Sequence, residues 1–189
     1  MKNKSLFGLL INPFTRIAGW QAFGLGLVFI SLMGFLGAST GIAFDGVFDM
    51  HMFENTVQQS FMFLAIDMVS LVLVMWAVGL VLSNNFRFID ILGTMTLAKA
   101  PFVLLAIFGY FTTAPNMNEI MKDPYVILQN TTFMIMMVLS LPVMIWSIAL
   151  MFNALKISCD LKGSTLTIAF IVGIFVSEII AKISIHYLV

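Results

Sequence analysis

The sequence predicts an all-α, polytopic membrane protein: a bundle of five transmembrane helices. Three observations carry this. The 189-residue chain is 61% hydrophobic and 10% charged, with a mean hydropathy of +1.07, whereas a soluble domain usually carries about 25% charged residues. Five separate stretches are each long enough to cross the hydrocarbon core, which takes about 20 apolar residues in a helix. Most of the charges fall between those stretches.

The first span runs from Trp20 to Ala43 and the second from Phe61 to Leu82. The third, Ile89 to Phe111, contains Lys99 and Pro101. The fourth, Phe133 to Met151, has Pro142 near its centre, and the fifth runs from Leu166 to Leu188. A proline inside a membrane helix kinks it and is tolerated where a neighbour satisfies the freed carbonyl. Ahead of the spans, residues 1–19 (MKNKSLFGLLINPFTRIAG) form a short basic and apolar segment. It reads either as an interfacial anchor or as an unstructured lead-in, with Asn12 before Pro13 as a helix start. Residues 20–189 form one transmembrane domain. A signal peptide ending near Gly37–Ser39 fits poorly, because the first apolar stretch is longer than a signal core and a second apolar segment precedes it.

Basic residues set the expected orientation, since cytoplasmic loops are enriched in Lys and Arg. A cytoplasmic N-terminus places Lys2, Lys4, Arg16, Arg87, Lys156 and Lys162 inside and only Lys122 in an outside loop. Asp45, Asp49, Glu54, Glu119 and Asp123 then fall outside, and the C-terminus at Val189 is external. The expected location is the cell membrane, of prokaryotic inner-membrane type.

Charges inside a bilayer are costly and mark site candidates. Four lie deep within spans: Asp67, Lys99, Glu178 and Lys182. Glu178, Lys182 and His186 are spaced by four and share a helix face. At 1.5 Å per residue, Asp67 and Lys182 lie about 9 Å below the outer boundary, and Lys99 and Glu178 near the midplane. Matching depth and sign predicts two interhelical pairs, Lys99–Glu178 and Asp67–Lys182. Ser70 and Ser177 extend this intramembrane seam, and His186 sits at the outer interface. The seam reads as internal bracing, since opposite charges in contact hold each other ionised, or as a hydrated ion route.

Gly34, Gly37, Ala38 and Gly41 on the first span offer a small-residue surface for close helix approach, chiefly within the bundle. The first outer loop, FDGVFDMHMFENT, gathers Asp45, Asp49, His51 and Glu54 without a recognisable metal spacing, so it reads as a solvated acidic loop and no metal or other cofactor is expected. The fifteen methionines are scattered, which suits gap filling better than a copper conduit. Zero net charge provides no nucleic-acid footprint. The lone Cys159 excludes an internal disulfide. No nucleophile, base and orienting group can be assembled, and Asp67 and Asp90 lie at opposite ends of adjacent spans, too far apart to act as an aspartate pair. An enzyme is not expected.

Three stretches are similar to the Yip1 family of polytopic membrane proteins: INPFTRI before the first span, TLAKAPFVLL in the third, and LPVMIWSIALMFNALKISCDLKGSTLTIAFIVGI across the fourth and fifth. The resemblance implies a five-helix bundle with a cytoplasmic N-terminus and a short external C-terminus. Eukaryotic members are linked to vesicle trafficking and Rab GTPases through a long N-terminal region, so this chain resembles a short prokaryotic-type member. The expected function is non-enzymatic association, through its helices, with lipids, other membrane proteins or itself. A small transporter or channel using the charged seam is the alternative. No small-molecule substrate is identifiable.

Overall fold

The computed structural model describes residues 6–84, 86–112, 121–123 and 125–188. Lys2, Lys4, Glu119 and Val189, which entered the orientation argument, lie outside the described residues. The fold is nearly all-α, and five helical segments are long and apolar enough to cross a membrane: Gly19–Thr40, Val57–Leu82, Phe88–Phe111, Thr131–Cys159 and Gly163–Leu188. This is the architecture of a multi-pass membrane protein.

In chain order, α1 (Leu6–Ile11) and a 3-10 turn (Pro13–Thr15) precede α2 (Gly19–Thr40). A two-residue antiparallel ladder, β1 (Ile42–Ala43) with β2 (His51–Met52), closes a hairpin before α3 (Val57–Leu82). The third span is two helices, α4 (Phe88–Ala98) and α5 (Phe102–Phe108), with a 3-10 turn at Gly109–Phe111. A short α6 (Val126–Gln129) leads to α7 (Thr131–Cys159) and α8 (Gly163–Leu188).

Local chemistry explains the boundaries. Helix α3 starts four residues earlier than its apolar run because Thr56 and Gln59 form a reciprocal capping box, each side chain satisfying a free end of the helix. Helix α7 continues unbroken through Pro142 and is capped by Asp160, whose φ of 48° reverses the chain without glycine. The third span does break at its proline. Pro101 has no N–H to give Ala98, and Ser147 Oγ of α7 donates to that freed carbonyl at 2.8 Å.

Helix α2 crosses α4 at close range through glycines that the first-span motif did not include. A Cβ on Gly26 would lie 2.7 Å from the Leu97 nitrogen, and one on Gly93 would strike the Gly19 carbonyl. Of the predicted packing residues, Gly34 faces the Phe61 ring and Gly37 faces the Ile42 carbonyl and Ser60. Ala38 is half-buried. Gly41 is a correction: with φ 69° it caps α2 and starts the hairpin, where a left-handed conformation is needed, and a Cβ added there would meet only the Phe53 carbonyl group, at 3.6 Å, and no neighbouring helix. Helix α1 is docked rather than trailing, since Trp146 Nε1 donates to the Leu10 carbonyl at 2.9 Å and Asn153 Nδ2 to that of Ile11 at 3.2 Å.

Candidate functional site: a charged seam closed by an inserted hairpin

The four intramembrane charges gather at one end of the bundle, the end carrying the Ile42–Met52 hairpin. The hairpin does not stand in solvent. Ile42, Ala43, Phe44 and Val47 are buried, and the Phe44 ring stacks on Phe102 with centroids 6.0 Å apart. Its tip therefore enters the space between α3, α5 and α8. This corrects the reading of a solvated acidic loop. The tip sequence Phe44-Asp45-Gly46-Val47-Phe48 sets apolar anchors on both sides of an acidic residue and a glycine, so it can fill a cavity and answer the bases inside it.

The two predicted pairs do not form. Lys99, at the α4–α5 break, places Nζ 3.4 Å from Asp67 Oδ2 and donates to the Gly46 carbonyl at 3.2 Å. It also lies 5.5 Å from the centre of the Phe102 ring, within range of a cation–π attraction. Glu178 is met by the hairpin backbone: its Oε2 accepts from the amides of Val47 at 2.6 Å and Phe48 at 3.3 Å. Lys182 reaches Asp49 at 2.9 Å and Asp45 at 3.6 Å, with Glu178 one turn away at 4.0 Å. The pairing by depth assumed a straight third span and a loop outside the bundle. A broken span and an inserted loop replace both assumptions, and the flexible lysine stem spans the depth difference to Asp67.

Exposure falls in steps along this cluster. The side chain of His51 is 54% exposed, Asp49 40%, Lys182 37%, Asp45 16% and Glu178 13%, while Lys99 and Asp67 are wholly buried. His51 Nδ1 lies 2.9 Å from Asp45 Oδ1, so a chain of polar contacts leads from the surface to the centre. Burial would raise the Asp49 carboxyl, but the Lys182 hydrogen bond and charge outweigh it and hold it below the usual carboxylate range. Asp67 Oδ1 is buried with no hydrogen-bond partner among the described residues.

The accessory residues play smaller parts. Ser70 is buried one turn along α3 from Asp67. Ser177 Oγ bonds the carbonyl of Gly173 in its own helix at 2.7 Å, and His186 is exposed beside Tyr187. Asp90 pairs with Arg87 at 2.8 Å at the opposite end of the bundle, away from Asp67. No group of three or more His, Cys, Asp or Glu residues able to hold a metal occurs among the described residues.

Among the clefts on the bundle, three are apolar. One of about 610 Å³ lies between α3 and α8, lined by Val78, Val81, Ala169 and Val172. One of about 510 Å³ lies beside α1 and Trp146, and one of about 300 Å³ beside Phe61 and Phe88. None of the three is lined by Asp67, Lys99, Glu178 or Lys182.

Comparison with known proteins identifies no relative: no family model, curated protein or solved structure matches the chain. Sequence reasoning missed Gly46, Val47 and Phe48 as partners of the seam. They act through backbone groups, which leave no mark in residue type apart from the glycine.

Proposed function

We propose that this chain is a non-enzymatic, multi-pass membrane protein that acts by associating, through its helix faces, with lipids or other membrane proteins. One observation carries the reading: the intramembrane charges face one another and the hairpin, leaving apolar side chains and three apolar clefts toward the surroundings. The resemblance to the Yip1 family points the same way, toward a short prokaryotic-type member in a cell membrane with its N-terminus cytoplasmic. Small side chains and shaped clefts are what helix association in lipid relies on, because apolar burial alone gives little drive there.

A second reading, a small transporter or channel, is favoured by a specific pair of features. The third span is broken beside Lys99, and Asp67 keeps an unpartnered buried oxygen. Broken helices next to intramembrane charges are the usual construction of transport sites.

Purified protein in sealed liposomes separates the two. Association predicts liposomes that stay tight to protons and alkali cations, with a defined lipid or protein retained through purification. A flux that the chain supports and Glu178→Gln abolishes would replace this reading with the transport one.

A further inference from the structure

We propose that the Ile42–Met52 hairpin is a releasable plug that controls water access to the Lys99–Asp67 pair, with Glu178 and Lys182 as its latch. This goes beyond both functional readings, since it concerns how the seam is reached and not what the protein associates with or carries.

The plug is held by polar contacts at every point where it meets a helix charge. Lys99 holds the Gly46 carbonyl, Glu178 holds the Val47 and Phe48 amides, and Lys182 holds Asp45 and Asp49. Apolar anchoring is present beside these contacts: Phe44 packs against Phe102 and Phe48 against Phe175 at 6.1 Å, and Ile42, Ala43 and Val47 are buried. An element fixed only by apolar packing would need no such set of charged partners. An element latched by charge-assisted hydrogen bonds can be released by removing one charge, because these bonds are worth about twice neutral ones.

The fit at the tip is tight. A Cβ on Gly46 would collide with Glu178 Oε1 and come within 2.8 Å of the Asp49 Cβ, so only glycine allows the carbonyl and the neighbouring amides to meet opposite charges at once. Gly41, in the left-handed region at φ 69°, supplies the turn at the foot of the hairpin. Behind the tip lie the groups that water would change most: Lys99, wholly buried, and Asp67, with its unpartnered oxygen. Ser70 marks the next turn inward on the same face of α3.

Thiol labelling tests the plug, with the native Cys159, buried at the far end of the bundle, as an internal gauge of folding. Val47→Cys reports the tip and Ser70→Cys the seam behind it. Each is treated in purified protein with a charged, water-soluble maleimide, and adducts are assigned by mass spectrometry. In the otherwise native chain both thiols should react slowly. Adding Glu178→Ala, or independently Gly46→Ala, should speed both by roughly 10- to 100-fold, the loss expected from hydrogen bonds to a charged group. Cys159 should stay protected throughout. Glu178→Gln, which retains an acceptor oxygen, should speed them less. Four results would each overturn the proposal: rapid labelling of Val47→Cys in the native background, no acceleration in either variant, labelling of Cys159 in step with the others, or labelling of Val47→Cys while Ser70→Cys stays protected.

Discussion

At the scale of single residues, Lys99 is held from several sides. It is a charge wholly enclosed in protein, with one carboxylate, one carbonyl and one aromatic face around it. Removing one member of a buried pair strands the other, at a cost of about 3–5 kcal/mol. Lys99→Met alone should therefore lower thermal stability in detergent severely. Lys99→Met with Asp67→Leu should recover most of it, because replacing both charges with apolar groups of similar volume is often neutral. If the double variant is as unstable as the single, the pair has a role beyond cancelling charge. The Asp49–Lys182 contact has a pH signature. Asp49 is held below its ordinary value of 3.8 in the folded chain, so its contribution is present above that pH and is lost as pH falls through the depressed value. Asp49→Asn should flatten the acid limb of a stability-versus-pH curve below about pH 4 and leave the neutral region little changed in slope.

At the scale of elements, the close crossing of α2 and α4 and the broken third span make distinct demands. Gly26→Ala puts a methyl into the Thr96–Leu97 backbone, where neither side can yield cheaply, and should destabilise by about 1–3 kcal/mol. Gly24→Ala, two residues away and with nothing within 4 Å of its added Cβ, should be neutral or stabilising by about 0.5–1 kcal/mol. Thermal melts of the two variants check this contrast. Ser147→Ala should cost about 1–3 kcal/mol, since it leaves the Ala98 carbonyl buried without its donor. A Pro101→Ala change beside it restores an N–H for that carbonyl, so the double variant should be more stable than Ser147→Ala alone. The sequence announced the proline break and the need for a donor. It gave no sign that Ser147 was that donor, because the match depends on how α7 lies against α4.

Across the whole molecule, the two ends differ in charge. The hairpin end holds Asp45, Asp49, Asp67 and Glu178 with Lys99 and Lys182, and the opposite end holds Arg16, Arg87, Lys156 and Lys162 with Asp90 and Asp160. The five spans and the candidate charges were legible in the sequence, because hydrocarbon thickness sets helix length and every exception to apolarity stands out against that background. Which charge meets which was not legible. Depth counting treats each span as a straight rod and each loop as solvent, and both the α4–α5 break and the inserted hairpin violate it. Likewise Gly41 belongs to a motif by spacing, yet serves as a helix cap, since the chain turns there before another helix can approach.

The sequence by itself determined that the chain folds as five apolar helices, that Asp67, Lys99, Glu178 and Lys182 are its costly residues, and that those charges sum to zero. These follow from local composition and from the length a helix needs to span lipid. Only the tertiary structure decided that Lys99 closes on Asp67, that Glu178 grips two backbone amides, and that a loop with the residues of a solvated turn buries its Ile42–Phe44 arm and Gly46–Val47 tip in the bundle. Those outcomes rest on backbone carbonyls and amides brought together across the fold. Every residue except proline carries both groups, so the amino-acid sequence cannot mark which of them will meet.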